Sequence, residues 1–444
     1  MTLVEPKEPW LGKAPAEWTR SRVRNVTTLS PGYSGSQPAK GETCTVVPME
    51  LLSTEGAIDL TNQVPLEDIT SGLTLFEAGD VLFAKITPCM ENGKGAFVRN
   101  LPTRYAFGST EFHVLRPSRK VNGRFLYYYT FNPVYRAYAA ENMVGAAGQK
   151  RVASLFVKDT RLFLPPLPEQ ERIAAYLDAS CAALDAAVAA KRCQLDTLDT
   201  LRKSTIKRAV MMGLNPSVKT KRTDVEWIPE MPDHWRLVRV KDVMEFFNTV
   251  RIPLSAAERG VMTEKNYDYY GASGVIDKVE DYLFDGTYIL IAEDGANLLT
   301  RSKPLAFLAT GKFWVNNHAH ILKPRWGGDD TFFVNLLQAQ DFSLFVTGAA
   351  QPKLTMENLG RFKLALPRVS EQKEIAAFIH EKDTEFRPLF AQIASQIATL
   401  TAYRKSLIHE CVTGQRRVTE AEMRAIQNRV GKVTAVNNRE KSHE

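Results

Sequence analysis

The sequence contains few cysteines, and they are widely spaced. Cys44, Cys89, Cys181, Cys193 and Cys411 form no CxxC pair. Disulfide frameworks and zinc sites need clustered or regularly spaced cysteines. We therefore expect five reduced thiols, as in a cytoplasmic protein, and neither a disulfide framework nor a zinc site.

Long apolar runs are missing as well. No run approaches the roughly 20 residues that a membrane-spanning helix needs. The opening MTLVEPKEPW lacks the basic and apolar stretches of a secretory signal. We expect a cytoplasmic localisation and no membrane partner.

Motifs of several DNA-processing enzymes are also absent. The sequence has no GxxxxGK(S/T) loop of an ATP motor. Asn132-Pro133-Val134 and Asn215-Pro216-Ser217 both differ from the Asn-Pro-Pro-aromatic motif of a methyltransferase. His318 and His320 lack acidic or cysteine neighbours at metal-ligand spacing. We expect no catalytic residue, no metal site and no cofactor bound by this chain.

The composition is that of a folded protein with a basic surface. The 444 residues are 44% hydrophobic and 24% charged, which suits two or three domains and argues against disorder. The formal net charge is +7. A basic balance favours an anionic partner, nucleic acid first.

The chain contains an internal repeat whose period is far longer than that of a solenoid. The first copy opens with residues 15–26 (PAEWTRSRVRNV) and the second with residues 232–243 (PDHWRLVRVKDV). The same distance along the chain separates Trp10 from Trp227. The two openings therefore predict one structural frame that occurs twice.

The two copies also close alike. Residues 164–165 and 169–170 (LP, EQ) match residues 366–367 and 371–372, and residues 202–204 (RKS) match residues 404–406. The middles do not align by eye, and the first is about 15 residues longer. Similar ends with dissimilar middles predict a shared frame that presents two different surfaces.

Each middle has the pattern of a strand-rich α+β domain. Short apolar and β-branched segments bounded by Gly and Asn turns predict strands at 80–84, 111–115, 288–292 and 319–322. Residues 125–138 and 331–345 have the pattern of helices.

Each closing segment predicts a long helix. Apolar residues recur at near-heptad spacing from Ile173 to Val210 and from Ile375 to Val412. Pro388 predicts a break near 383–387, with an equivalent break near 180–184. Two such stripes favour an antiparallel pair.

The length of the predicted helices suits the spacing of DNA. A helix of about 27 residues is about 40 Å long, close to the 34–36 Å of one DNA turn. An antiparallel pair would hold the two strand-rich domains about that far apart, so we expect recognition of a split, non-palindromic site.

These segments resemble the specificity subunit of type I restriction–modification systems. The motifs that carry the resemblance are residues 164–174 (LPPLPEQERIA), their second copy from Leu366 to Ala376, the junction 225–235 (VEWIPEMPDHW) and residues 406–414 (SLIHECVTG). The resemblance covers about residues 8 to 416. Pro388 and a charged tail of about thirty residues depart from the family pattern.

The resemblance implies an α+β fold with a pseudo-two-fold repeat. Two strand-rich target-recognition domains would be joined by two long antiparallel helices that form a coiled-coil spacer. The expected boundaries are 1–163 and 215–365 for the recognition domains, 164–214 and 366–414 for the helical spacers, and 415–444 for the tail. The tail includes Arg416, Arg417, Arg424, Arg429 and Lys432, and either disorder or a short added helix would fit it.

The resemblance also implies the function and the partners. Each recognition domain would bind one half of a bipartite site in double-stranded DNA. The chain would assemble with two modification (methyltransferase) subunits, and with restriction subunits for cleavage. S-adenosylmethionine would be bound by the methyltransferase subunit, ATP and Mg by the restriction subunit, and no cofactor by this chain.

Candidate DNA-binding residues follow from donors, acceptors and cations on predicted loops. In the first domain they are Lys85, Thr87, Asn92, Lys94, Ser109, Thr110, Gln149, Lys150 and Arg151. In the second domain they are Asn297, Arg301, Lys303, Asn316, Asn317, His318, Gln351 and Lys353. Any one of them could instead be a turn residue or a solvated charge.

Two alternatives remain open. The chain could be the DNA-binding part of a split nuclease or methyltransferase of another type. It could also be a coiled-coil scaffold, although a scaffold does not need two dissimilar strand-rich middles.

Overall fold

A computed structural model describes residues 3–4, 11–32, 41–69, 72–146, 148–348 and 350–426. The chain divides into two compact units. Unit 1 is Met1–Arg192 with Ser395–Glu444, and unit 2 is Cys193–Ala394. Each unit therefore contains one strand-rich middle and a part of each long helix.

Unit 1 is rich in short strands. Its strands are β1 (Leu3–Val4), β2 (Ala14–Pro15), β3 (Thr19–Arg22), β4 (Thr27–Leu29), β5 (Thr43–Val47), β6 (Gln63–Pro65), β7 (Thr74–Phe76), β8 (Val81–Ala84), β9 (Gly95–Phe97), β10 (Ala106–Gly108), β11 (Phe112–Pro117) and β12 (Arg161–Leu164). Its helices are α1 (Val23–Val26), α2 (Gly123–Phe131), α3 (Pro133–Glu141), α4 (Ser154–Asp159) and the first part of α5 (Leu167–Met212). The strands predicted at 80–84 and 111–115 are confirmed as β8 and β11.

Two four-stranded sheets pack against each other in unit 1, with strand orders β6-β5-β10-β7 and β4-β11-β8-β9. Side chains alternate between the faces of a strand. Leu82 of β8 therefore packs toward the other sheet with Val47, while its neighbours Val81 and Phe83 join the core formed with the helices.

The helix predicted at 125–138 is two helices. Asn132 ends α2, and its side-chain oxygen accepts a hydrogen bond from the Val134 amide at 3.0 Å to begin α3. Pro133 at the first position of α3 has no amide hydrogen to continue α2. A cap followed by proline therefore breaks the predicted element.

Unit 2 is built around one six-stranded sheet of order β16-β21-β19-β20-β17-β18. The strands of the unit are β13 (Thr220–Val225), β14 (Ile228–Pro232), β15 (Arg236–Arg239), β16 (Met244–Phe246), β17 (Tyr267–Gly271), β18 (Gly274–Val279), β19 (Phe284–Ala292), β20 (Ala306–Val315), β21 (Ala319–Pro324) and β22 (Lys363–Leu366). Its helices are α6 (Val240–Val243), α7 (Ala256–Gly260), α8 (Asn297–Thr300), α9 (Asp330–Ala339), α10 (Met356–Arg361) and the first part of α11 (Val369–Thr413). The predicted strands at 288–292 and 319–322 lie in β19 and β21, and α9 covers part of the helix predicted at 331–345.

The two middles share a four-stranded core that sequence comparison missed. The order β4-β11-β8-β9 in unit 1 corresponds to β16-β21-β19-β20 in unit 2. His113 of β11 lies opposite Phe83, and His320 of β21 lies opposite Ile291. Residues 113–117 (HVLRP) and 320–324 (HILKP) occupy these equivalent strands. The shared frame therefore extends into the middles.

Both long helices are continuous, so the predicted breaks near 180–184 and 383–387 are wrong. Helix α5 has 46 residues and α11 has 45, with Pro388 inside. A proline frees the carbonyl four residues earlier. That carbonyl belongs to Thr384, which is exposed like Pro388 itself, so water can bind it. The length of about 40 Å expected for a shorter helix describes neither helix.

Ion pairs within each unit show that the two helices run antiparallel. In unit 1, Arg404 Nε of α11 lies 2.9 Å from Asp185 Oδ1 of α5. In unit 2, Arg202 Nη2 of α5 lies 2.7 Å from Asp383 Oδ1 of α11. Later residues of α5 thus face earlier residues of α11, as the predicted coiled-coil pair requires.

Among the described residues, one helix, α5, is long and apolar enough in one stretch to cross a membrane. Its two ends lie in protein cores. Ile173 and Leu177 are buried in unit 1, and Ile206 and Val210 are buried in unit 2. These contacts are those of a core helix in a folded protein.

The repeated Glu-Gln motif fastens each long helix to its unit. The side-chain oxygen of the buried Gln170 accepts a hydrogen bond from the Asn122 backbone N–H at 2.8 Å, and its side-chain nitrogen donates to the Pro165 carbonyl at 2.8 Å. Gln372 makes the same two contacts, with Asp329 and Pro367, at 3.3 and 3.0 Å. The glutamine therefore joins the start of the long helix to the start of α2 or α9.

The described part of the tail packs on unit 1. Val418 is buried, and its carbonyl accepts a hydrogen bond from Arg172 at 2.8 Å. Arg416 donates to the Tyr176 hydroxyl at 2.9 Å, and residues 420–426 are helical. Arg429 and Lys432 lie outside the described residues. The domain boundaries given above stay predictions.

Candidate nucleic-acid interface

In unit 1, several predicted residues meet where β8 ends and β11 begins. These strands are antiparallel neighbours, so the end of one lies beside the start of the other. The Lys85 amide donates to the Glu111 carbonyl at 2.9 Å, and Ser109 and Thr110 precede this point directly. Lys85 and Ser109 are half-buried, whereas Thr110 is exposed.

A hairpin extends this end of the sheet. We call residues 144–146 and 148–152 the first hairpin. The Thr87 amide donates to the Lys150 carbonyl at 3.0 Å, and the Val152 amide donates to the Lys85 carbonyl at 2.8 Å. Gln149 and Lys150 are exposed. The structure thus brings the predicted loop after β8 and the predicted 149–151 segment together.

Arg151 of the first hairpin is engaged in an ion pair. Its guanidinium Nη2 lies 2.8 Å from Glu111 Oε1, and Nε contacts both carboxylate oxygens. The hydrogen bonds from Arg151 lower the pKa of Glu111, so the carboxylate is charged at neutral pH. This pairing gives Arg151 a role in fixing the hairpin.

The loop from Lys85 to Lys94 is held from inside by Arg136, which is buried and which sequence analysis did not single out. Arg136 donates to the carbonyls of Thr130 and Met90, both at 2.7 Å. Its guanidinium carbon also lies 4.6 Å from the Phe83 ring centre. Asn92 is exposed in this loop. The Lys94 ammonium donates to the Met49 carbonyl at 2.8 Å and is therefore directed into the unit.

In unit 2, the equivalent end of the sheet carries a different set of side chains. Asn317 is exposed. His318 is half-exposed, and its Nδ1 lies 2.8 Å from Asp294 Oδ2. Asp294 is the second residue after β19, as Ile86 is the second residue after β8. This end therefore offers an amide, an imidazole and a carboxylate.

Glu293 forms ion pairs with two cationic side chains at this end of unit 2. Its oxygens lie 2.6 Å from Arg251 Nη1 and 3.3 Å from Lys353 Nζ. Burial opposes its ionisation, but the hydrogen bond from Arg251 and the nearby positive charges lower the pKa of Glu293 overall. Arg251 also donates to the carbonyls of Asn317 and Ala319, at 3.2 and 2.7 Å.

A second hairpin, residues 347–348 and 350–354, is the counterpart of the first. The Leu354 amide donates to the Glu293 carbonyl at 2.8 Å, and the Gly295 amide donates to the Pro352 carbonyl at 3.0 Å. Gln351 is exposed, and Lys353 is half-exposed beside Glu293.

Three predicted residues of unit 2 have clear structural roles. Asn316 is 6% exposed, and its side-chain oxygen accepts a hydrogen bond from the His318 amide at 2.8 Å. Asn297 bonds both backbone groups of Lys303, which is itself exposed. Arg301 donates to the carbonyls of Gln338 and Gln340 at the end of α9. These contacts favour loop-shaping over direct DNA contact for Asn316, Asn297 and Arg301, and the DNA-binding assignments themselves stay predictions.

The equivalent histidines, His113 and His320, are not among the residues predicted from the sequence to bind DNA. His113 and His320 are 2% and 0% exposed, and burial lowers the pKa of both. The repeated HVLRP and HILKP segments are the sequence signal that could have found them. Glu111, Arg251 and Glu293 gave no comparable signal, since their roles depend on partners distant in the chain.

The described residues contain no group of three or more His, Cys, Asp or Glu side chains placed to hold a metal ion. His318 contacts Asp294 instead, and His320 is buried with its Nε2 at 2.7 Å from the Leu354 carbonyl.

Comparison with known proteins gives a family. Residues 17–190 and 232–397, more than half of the chain, match the family described as type I restriction modification DNA specificity domain. The chain is 33% identical over 175 residues to the EcoAI type I restriction enzyme specificity subunit of Escherichia coli, which covers 38% of this chain and 29% of that one. It is 31% identical over 157 residues to the putative type I restriction enzyme specificity subunit S.HindORF215P of Haemophilus influenzae, with 35% and 37% covered. The chain thus spans about a third of the length of these relatives.

A solved structure shares the fold over nearly the whole chain. It concerns complex assembly and conformational transition of the type I R-M system, and one of its chains superposes with a TM-score of 0.69 at 17% identity. The superposition covers 91% of this chain and 100% of that chain. The predicted resemblance is confirmed, and this chain belongs to the type I restriction–modification DNA specificity family, with two copies of the family domain.

Proposed function

We propose that each unit binds one half of a bipartite, non-palindromic site in double-stranded DNA. One observation carries the proposal: equivalent ends of two equivalent sheets present different side chains. Lys85 follows β8 in unit 1, whereas Glu293 stands at the matching place after β19 in unit 2. Thr110, just before β11, has Asn317 as its counterpart just before β21. One frame with two donor and acceptor patterns suits two different half-sites.

The partners belong to the same proposal. We infer that the chain assembles with two modification subunits that bind S-adenosylmethionine, and with restriction subunits that use ATP and Mg. The antiparallel α5 and α11 would fix the spacer between the half-sites and dock the methyltransferase subunits. The chain itself would be a non-catalytic, cytoplasmic subunit.

Methylation mapping tests this proposal. The chain is expressed with a methyltransferase subunit with which it co-purifies, and methylated adenines are located across the genome. We expect one motif made of two unlike halves separated by a fixed gap. A continuous or palindromic motif contradicts two-unit recognition.

A second measurement tests the non-catalytic role. Purified chain is incubated with DNA and labelled S-adenosylmethionine, with and without the methyltransferase subunit. We expect label in DNA only when the methyltransferase subunit is present. Incorporation by the isolated chain would overturn the assignment.

A further inference from the structure

The two hairpins are closed in the same way. In the first hairpin, Val144 and Arg151 exchange backbone hydrogen bonds of 3.0 and 2.8 Å. In the second, Thr347 and Lys353 exchange bonds of 2.9 and 2.7 Å. Each hairpin also forms a β-bridge to the second residue after a strand end, Ile86 after β8 or Asp294 after β19. The sheets thus gain the same extension in both units.

The turn of each hairpin requires glycine at the same place. Gly145 and Gly348 have φ values of +129° and +87°, a region that other residues rarely adopt. A Cβ atom would lie 2.9 Å from the Gln149 carbonyl oxygen at Gly145, and 2.5 Å from that of Gln351 at Gly348. An equivalent glutamine, Gln149 or Gln351, therefore lies close to the glycine of each turn.

A buried histidine anchors each hairpin from below. His113 Nε2 lies 2.9 Å from the Val152 carbonyl, and His320 Nε2 lies 2.7 Å from the Leu354 carbonyl. A carbonyl only accepts, so Nε2 carries the hydrogen in both rings. The Asn248 side-chain amide, 2.7 Å away, donates to Nδ1 of His320, because its oxygen already accepts from the Ile321 amide. The His320 ring is therefore a neutral donor, and burial, which lowers the pKa of His113, favours the same neutral form there.

The exposed side chains of the hairpins include hydrogen-bond donors and cations. Gln149, Lys150 and Gln351 are exposed, and the Lys353 side chain is 50% exposed. Amides and ammonium groups are common partners of DNA phosphates, and phosphate contacts position a protein without conveying sequence. Two unlike half-sites share only their sugar–phosphate backbone.

We propose that the two hairpins hold the sugar–phosphate backbone of the two half-sites in the same way, while neighbouring loops recognise the bases. This inference rests on the proposed function. It assigns Gln149, Lys150, Gln351 and Lys353 to positioning. Base recognition then falls to residues that differ between the units, such as Asn92 in unit 1 and Asn317 and His318 in unit 2.

The test uses the chain assembled with its methyltransferase subunits and three DNA duplexes: the mapped site, the site with one half replaced, and unrelated DNA. Lys150→Ala and Gln351→Ala are compared with Lys120→Ala. Lys120 is an exposed cation beyond the other end of β11, so it is the matched control.

We expect each hairpin variant to bind all three duplexes more weakly by a similar factor, roughly tenfold. Loss of Lys150 should also reduce the salt dependence of binding by about one ion, and Lys120→Ala should bind like the wild type. A changed base preference in one half-site, or unchanged affinity, overturns the inference. Wild-type protein without preference for any bipartite site would instead overturn the proposed function.

The anchoring histidine is tested separately. His113→Leu removes the donor to Val152, whereas His113→Gln keeps an N–H donor. We expect His113→Leu to weaken binding as the hairpin variants do, and His113→Gln to restore most of the loss. Equal binding by folded His113→Leu and wild type would show that the anchor has no part in the contact. If His113→Leu fails to fold, weak binding by a folded His113→Gln with unaltered stability would equally contradict this role.

Discussion

At the scale of single residues, the candidate interface depends on buried groups that hold exposed ones. Arg136 and His113 lie beneath the loop and the hairpin of unit 1, and each donates to backbone carbonyls there. Their hydrogen-bond partners lie 46 and 39 positions away along the chain. Sequence patterns identified the half-buried Lys85 and the exposed Gln149, but such distant partnerships leave no local pattern.

Arg136→Met should destabilise unit 1. The substitution removes the charged donor shared by the Thr130 and Met90 carbonyls, and hydrogen bonds to charged groups contribute about 1.5–3 kcal/mol each. We expect a loss of about 2–4 kcal/mol in the free energy of unfolding, measured by urea denaturation. Arg424→Met, at an exposed i,i+4 pair, should change stability by less than about 0.5 kcal/mol. Equal effects of both substitutions would contradict the role of Arg136.

His113 should make unit 1 sensitive to acid. The pKa of His113 is lowered from 6.5 to about 4, chiefly by burial and in part by the charge of Lys85, while the hydrogen bond to the Val152 carbonyl and the charge of Glu111 oppose the shift. The unfolded chain then takes up a proton between these values and the folded chain does not. The contribution is fully present above about pH 6.5, is lost as pH falls towards 4, and amounts to about 3 kcal/mol.

The measurement compares urea midpoints of wild type and His113→Gln at pH 7, 5.5 and 4.5. The wild type should lose more stability than the variant over this range. Identical pH dependence of the two proteins would contradict a neutral, buried His113.

At the scale of secondary-structure elements, the pattern of apolar residues predicted the observed strands correctly, whereas the rule that proline breaks helices failed. The strands at β8, β11, β19 and β21 were found because their apolar runs are bounded by turns. The breaks in the long helices were predicted from Pro388 alone, yet exposure of Thr384 and Pro388 lets α11 continue. The shared four-stranded core was missed because half-buried strands tolerate many apolar residues, so packing is kept while identities change.

Pro388→Ala should stabilise unit 2. Alanine restores the hydrogen bond to the Thr384 carbonyl and relieves the ring clash, a gain partly offset by the greater freedom of the unfolded chain. We expect the free energy of unfolding to rise by about 1–2 kcal/mol, measured by urea denaturation. Unchanged or lower stability would mean that α11 is shaped to the proline.

At the scale of the whole molecule, the repeated frame and the family were predictable, whereas the residues of the interface were only partly so. The openings, the closings and the Glu-Gln motif are local signals. The inward direction of Lys94 and the burial of Asn316 depend on tertiary contacts. The tertiary structure also shows which features the two units share and which they do not. Both units have the hairpin, whereas the side chains at the strand ends differ.

We expect each unit to recognise its own half-site. The most direct measurement maps methylated adenines in cells that carry wild type, Asn92→Ala in unit 1, or Asn317→Ala in unit 2, each with the same methyltransferase subunit. We expect a bipartite motif for wild type. Each variant should show relaxed base preference in one half only, and the two variants in opposite halves. Loss of specificity in both halves with either variant would contradict this expectation.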